Sequence, residues 1–176
     1  MSILLVRPSE KYKDQIKLMM DEWLNSGEQI IPQSISHYRF DDFNNFISSF
    51  QFEIDGPLKE GFVRATTYFA YEDSTDTMIG AVNIRHSLNS YLLRNGGHIG
   101  GGVRPSERKK GYATEISKLS LIKCKELGIN RVMMSCRKDN IGSANTIIKI
   151  GGILEREFVN DIGVTEQIFW IELNNN

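Results

Sequence analysis

The sequence predicts an α+β domain: a mixed, mostly antiparallel central sheet flanked by helices, in the order β-α-α-β-β-β-α-β-α-β-β. Three observations carry this. Apolar residues recur at helical spacing in four separate segments. Short runs rich in β-branched and aromatic residues, bounded by glycine, proline and polar residues, read as strands. Hairpin connections come first, and a strand–helix–strand crossover follows. The chain has 176 residues, the size of one domain (1–176) whose core buries roughly 70% of the unfolded surface. No internal repeat, linker or low-complexity block divides it.

Ile3–Arg7 reads as a strand stopped by Pro8. Ser9 is placed to cap a helix to Leu24, with Ile16, Met19, Met20 and Trp23 on one face. A loop containing Pro32 leads to a helix over His37–Phe50. Its Phe43, Phe46 and Phe50 suit a core, or the wall of a substrate pocket. Phe62–Tyr71 and Met78–Ser87 pair across the polar turn Glu72–Asp76. Leu88–Gly96 is a loop or short helical turn, and Gly97–Val103 a glycine-rich strand. Gly111–Leu127 is a helix with Ala113, Ile116, Leu119 and Ile122 on one side, ended by Gly128. Arg131–Cys136 is a strand. Asn140–Ile150 is a helix with Ile141, Ala144, Ile147 and Ile148 at helical spacing, stopped by Gly151 and Gly152. Ile153–Val159 and Val164–Leu173 form a last hairpin across Asn160–Gly163.

Charge and cysteine content narrow the function classes. Lys+Arg is 21 and Asp+Glu is 22, a balance that argues against a protein coating nucleic acid or an anionic membrane. Cys124 and Cys136 form no CxxC pair, and no histidine cluster completes a metal set, so no metal is expected. The apolar run Ile3–Val6 is too short for a signal segment or a membrane span. The tail Asn174–Asn176 is polar, and the expected location is cytoplasmic.

The segment Val103-Arg-Pro-Ser-Glu-Arg108-Lys-Lys-Gly111-Tyr-Ala113-Thr114 is the most informative. A strand ends, a loop turns, and a long helix begins at the glycine. The first turn of a helix carries unpaired N–H groups and the positive end of the helix dipole, which match a phosphate or pyrophosphate. Gly111 permits close backbone approach, and Ala113 keeps the next contact small. Arg108, Lys109 and Lys110 place three cations at the loop mouth. Two nucleotide signatures fail. Gly97 and Gly102 have P-loop spacing, but Val103 stands where the lysine belongs, and the glycines from Gly96 to Gly102 do not form a dinucleotide fingerprint.

Arg108-Lys-Lys-Gly111-Tyr-Ala113, preceded by Val103-Arg-Pro and followed by an amphipathic helix, resembles the acetyl-CoA signature of the GNAT superfamily of N-acetyltransferases. The stretch Asn140-Ile-Gly-Ser143-Ala-Asn145…Gly151-Gly152 resembles that family's second segment, whose asparagine lies beside the pantetheine arm. The longer string from Arg85 through Gly96-Gly-His98-Ile-Gly100 to Thr114 is similar to a bacterial subgroup of predicted acetyltransferases. The resemblance implies a GNAT-like sheet and acetyl-CoA as acyl donor. It implies a primary amine of a small molecule or peptide as acceptor, attacking the thioester directly. It implies that the strand ending at Val103 splays from the Arg131–Cys136 strand and places the pantetheine in that gap, against Gly101 and Val103 like an added strand, with the glycines at 100, 101 and 102 admitting the ligand. It places the pyrophosphate at Arg108, Lys109, Lys110, Gly111, Tyr112, Ala113 and Thr114, and gives Asn140, Ser143 and Asn145 contacts to the arm.

The chain departs from the family pattern at the proton-handling positions. Gly97 stands at the place of a common strand glutamate, and Ile147 at that of a common tyrosine acid. His98 is the nearest titratable side chain and reads as a base or proton relay, or as a structural residue. Arg85 and His86 are further candidates. Cys136 is either a core thiol, like Cys124, or reactive near the thioester. Asp41, Asp42, Glu53 and Asp55 either favour a cationic amine or form a solvated face. The missing glutamate and tyrosine also suit a non-catalytic CoA-binding sensor. The last hairpin, with Phe158, Ile168 and Trp170, is a candidate homodimer edge.

Overall fold

Two antiparallel ladders make the central sheet. In the computed structural model, which describes residues 2–37, 39 and 41–173, strands β1 (Ile3–Val6), β2 (Ala65–Glu72), β3 (Thr77–Arg85) and β4 (Ile99–Val103) pair in sequence order. Strands β5 (Arg131–Arg137), β6 (Ile153–Val159) and β7 (Thr165–Glu172) pair in the order β5-β7-β6. All these ladders are antiparallel. Between the two groups, the described residues show a bridge at Gly97–Met134. The sheet is divided because β4 leaves β5 immediately after that point, as the family resemblance implies for these two strands.

Each face of the sheet carries its own core. Helices α1 (Lys13–Asn25) and α2 (Phe43–Asp55) cover one face. There Ile16, Met19, Met20, Trp23, Phe43, Phe46 and Phe50 pack on Phe69, Tyr71, Met78 and Ala81. The phenylalanine stripe is core rather than pocket wall: Phe50 is fully buried and meets Phe46 edge-on at 4.9 Å, an arrangement that matches ring edge to ring face. Helices α4 (Tyr112–Glu126) and α5 (Ile141–Lys149) cover the other face. There Ile116, Cys124, Ala144 and Ile147 join Ile79, Val82, Ile84, Val132 and Phe169. A short helix α3 (Ser90–Arg94) lies between β3 and β4.

Several expected boundaries move for local reasons. The predicted helix at His37 begins instead at Phe43, because the Asp42 carboxylate accepts the Asn45 N–H (3.4 Å) and caps the first turn there. Its upstream residues form a 3-10 turn, Gln33–Ile35, whose Ile35 is buried. Ser9 caps with its carbonyl, not its hydroxyl, receiving the Tyr12 N–H at 3.0 Å ahead of a 3-10 turn. In α4 the buried stripe is Ile116, Ser120 and Cys124, while Ile122 is 55% exposed. Ser120 is tolerated inside because its hydroxyl donates to the Ile116 carbonyl (2.7 Å). In α5, Ile141 and Ile148 face outward. Asn174–Asn176 lie outside the described residues.

Candidate functional site

The cleft between β4 and β5 follows from the alternation of strand hydrogen bonds. The Arg85 N–H donates to the His98 carbonyl and the Arg104 N–H to the Ile79 carbonyl, both at 2.8 Å. With the register Asn83–Gly100 and Ala81–Gly102 between them, Gly100 and Gly102 face β3. Ile99, Gly101 and Val103 turn their N–H and C=O groups the other way. That side is where β5 has moved off, and Gly101 is exposed. This row of backbone groups suits an extended ligand bearing amides, bound as an extra strand.

Not every glycine here is explained by a ligand. A Cβ at Gly102 would stand 2.7 Å from the Ile31 carbonyl oxygen and 3.0 Å from the Trp23 ring. Gly102 is therefore fixed by the α1–α2 connection crossing β4. Gly97 has φ +66 and lies against the Met133 carbonyl, so neither glutamate nor any other L side chain fits without backbone movement. Of the expected glycine trio, Gly101 is the one whose open groups face the cleft.

At the end of β4 the chain turns through Pro105–Glu107 and enters α4. Lys109 (φ 62) and Gly111 (φ 89) take left-handed conformations, and a Cβ at Gly111 would find nothing within 4 Å. Thr114 donates to the Gly111 carbonyl at 3.1 Å. The amides of Gly111, Tyr112 and Ala113 thus precede that first bond, as a helix-terminal anion site requires. Ala113 is exposed, Thr114 is half-buried, and Tyr112 packs its ring against the core.

Two of the three expected cations carry acidic partners. Arg108 pairs with Glu28 (2.6 Å) and Lys110 with Glu107 (3.0 Å). The Arg108 Nε–H also donates to the Val103 carbonyl (3.0 Å). Arg108 thus occupies a backbone acceptor that an added strand would use, and a ligand there must displace it. The loop itself is anchored to α1. Glu22 accepts from the Arg104 guanidinium, from the Ser106 N–H (2.7 Å) and from the Ser106 hydroxyl (2.9 Å). Burial pulls the Glu22 carboxyl upward, but Arg104 and Ser106 outweigh it and leave its pKa lowered. Sequence reading missed this anchor. Arg104 sits inside the motif, but its partner lies 82 residues away and no local pattern joins them.

The second motif contributes differently from expectation. The Asn140 side-chain carbonyl accepts the Ser143 N–H (3.1 Å) and caps α5, which commits that oxygen to the helix. Ser143 is half-buried and Asn145 exposed. Helices α4 and α5 pack against each other. Ile147, at the tyrosine position, is 3% exposed in the core and presents no acid to the cleft.

The remaining titratable candidates separate clearly. His98 is 7% exposed, and its Nδ1 accepts the Met133 N–H at 3.0 Å. Burial, and then the nearby Arg85 charge, push its pKa down to about 4. Arg85 donates to the carbonyls of Gly96 (3.3 Å) and Gly97 (2.9 Å). His86 shares a 2.7 Å hydrogen bond with Thr66. Burial raises the Cys124 thiol to about 12 and the Cys136 thiol, with help from Glu166, to about 11. Both are buried core thiols, and burial favours their protonated form. Of the acidic candidates, Glu53 turns inward, accepting from Thr67 (3.1 Å), and burial raises its pKa against the opposing effects of Thr67 and Arg7. Asp42 is a helix cap, and Asp55 accepts from Gln51 (2.7 Å).

An open strand edge leading to a helix N-terminus suits an extended ligand with an anionic end. Residues 4–153 match the acetyltransferase (GNAT) domain family, and the chain belongs to that family. Solved structures agree on the fold. The microcin self-immunity acetyltransferase MccE, in complex with acetyl-CoA and AMP, is 17% identical with a TM-score of 0.69, over 97% of this chain and 92% of that one. The ribosomal alpha-N-protein acetyltransferase RimL, in complex with coenzyme A, is 12% identical with a TM-score of 0.69, over 98% and 94%. A dodecameric spermidine N-acetyltransferase from Vibrio cholerae is 13% identical with a TM-score of 0.67, over 97% and 94%. No curated protein sequence matches the chain significantly. No described helix is long and apolar enough to cross a membrane.

Proposed function

We propose that the chain, acting as a single domain, transfers the acetyl group of acetyl-CoA to a primary amine of a small molecule or peptide. The observation that carries this reading is the continuity of the cleft-facing groups of Gly101 and Val103, of which the Val103 carbonyl is reached by displacing Arg108, with the helix-terminal amides of Gly111, Tyr112 and Ala113. A pantetheine arm bonds along the first set while its pyrophosphate rests on the second. Arg108, Lys109 and Lys110 supply the countercharge. Thr114, Ser143, Asn145 and the amide end of Asn140 flank the arm. Family membership supports this choice of ligand, and so do the acetyl-CoA and coenzyme A in two of the similar structures.

The transfer itself is direct attack. The neutral amine nitrogen bonds to the thioester carbon, the carbon–sulfur bond breaks, and coenzyme A leaves as thiolate and takes up a proton. A lysine-type amine titrates near about 10.4 and an α-amine near about 8, so the acceptor must shed a proton first. Gly97 and Ile147 cannot take it. His98, which the sequence leaves as either a proton relay or a structural residue, stands at the base of the cleft. We place the enzyme in the cytoplasm.

The same departures favour a second reading, a non-catalytic acetyl-CoA sensor. Turnover decides. Coenzyme A release is followed with a panel of amines that includes polyamines, amino acids and peptides. Release that depends on one amine class supports the transferase. Tight acetyl-CoA binding with no release across the panel favours the sensor.

A further inference from the structure

The base of the cleft is closed by an unusual set of contacts. The His98 N–H donates to the Met133 carbonyl (2.8 Å), and the Met133 N–H donates back to the His98 side chain at Nδ1 (3.0 Å). In an ordinary antiparallel pair that N–H would meet a backbone carbonyl of the neighbouring strand. Here the His98 carbonyl is already used by the Arg85 N–H (2.8 Å) on the opposite side. One residue therefore spans both neighbours, with its carbonyl toward β3 and its amide and imidazole toward β5. Beside it, the Gly96 N–H donates to the Ser135 hydroxyl (3.2 Å), and Arg85 holds the carbonyls of Gly96 and Gly97. Beyond His98, no described strand pairs with the outward groups of β4.

We infer that His98 is a positioning residue: its imidazole stands in for a strand carbonyl, pinning β4 to β5 at the base of the cleft and so fixing the opening into which the acyl donor fits. The role requires Nδ1 without a proton and Nε2 carrying one. It requires no titration during turnover, and the low pKa agrees, since the ring stays neutral throughout the working pH range. It also accounts for Gly97. The pin draws the preceding residue against the Met133 carbonyl at φ +66, where only glycine fits. The inference rests on the acetyl-CoA reading for its functional consequence but not for its structural one.

The test compares His98→Asn with His98→Ala. Asparagine keeps an acceptor near the Nδ1 position but cannot carry a proton at neutral pH, and alanine keeps neither. Acetyl-CoA affinity is measured by titration calorimetry, kcat separately, and Met133 amide protection by hydrogen exchange. His98→Asn is expected to keep affinity and kcat within roughly threefold, with the Met133 amide protected. His98→Ala should lose roughly tenfold in affinity as the buried N–H loses its partner. A His98→Asn variant that binds acetyl-CoA normally yet loses kcat about a hundredfold would overturn the inference and make His98 a proton carrier. An alanine variant with unchanged affinity and Met133 protection would also overturn it. Should the alanine variant not fold, the tautomer in the wild-type protein decides. A nitrogen-15 spectrum showing the proton on Nδ1 contradicts the pin, and one showing it on Nε2 supports it. Wild-type protein that fails to bind acetyl-CoA sinks the functional reading instead, while the exchange and tautomer measurements still judge the pin.

Discussion

Gly111 is the residue on which the anion site depends most directly. Its φ of 89 and the empty space where a Cβ would stand separate two effects that usually travel together. Gly111→Asp meets no packing, so its cost to folding is the left-handed backbone alone, about 1–2 kcal/mol. For a chain of this size that is roughly 2–8 °C in Tm. The carboxylate, by contrast, stands at the helix terminus where the pyrophosphate belongs. The expected outcome is a folded protein, by circular dichroism, with no measurable acetyl-CoA binding. Unchanged affinity would remove the pyrophosphate from this loop. The residue scale also shows what sequence can conceal. Gly111, Ala113 and the three cations are legible as a motif. That Arg108 rests on Val103 and Glu28 is not, because Glu28 lies in the α1–α2 connection and meets Arg108 only through the fold.

At the scale of elements, Glu22 joins α1 to the loop that starts α4. Its folded pKa is lowered. The stability it contributes is therefore present above the unfolded value, near about 4.5, and is lost as pH falls through the folded one. Glu22→Gln should lower Tm by several degrees at pH 7, and its difference from wild type should shrink as the pH is lowered toward 3, as followed by thermal melts. A gap of equal size at both pH values would mean that the carboxylate charge is not what holds the loop. Element legibility tracks how each residue is satisfied. The α1 face is readable, since Ile16, Met19, Met20 and Trp23 are all buried. The α4 face misleads, because Ser120 and Cys124 do the burying while Ile122 is exposed. Periodicity sees hydrophobicity, and Ser120 enters the core through a backbone hydrogen bond that periodicity does not register. The start of α2 escapes the pattern because the Asp42 cap outweighs an apolar periodicity that extends further upstream.

For the whole molecule, the order of strands and helices is legible in periodicity, whereas the division of the sheet is expected from the family resemblance alone. Strand signals report alternation and turn chemistry. Where β4 parts from β5, one side chain, His98, takes the place of a backbone partner, which no strand pattern registers. The same scale narrows the expected dimer edge. Phe158 lies on β6, the outer strand of the last hairpin, whereas Ile168 and Trp170 lie on β7, the middle strand of its group, where Ile168 is fully buried. The free edge is β6, where Ile153 is 72% and Val159 63% exposed. Such an edge invites a second copy. Light scattering is expected to give about twice the 20.1 kDa chain mass, reverting to one chain when Val159 is changed to Lys. A monomer at all concentrations would leave β6 merely solvated.

The central claim is that the opening beside β4 and the N-terminus of α4 form one acetyl-CoA site. Isothermal titration of the folded protein with acetyl-CoA, with ATP and NAD as controls, tests it most directly. Saturable binding of acetyl-CoA alone, at one site per chain, is the predicted result. No binding of acetyl-CoA by protein shown to be folded, or equal binding of all three, would contradict it.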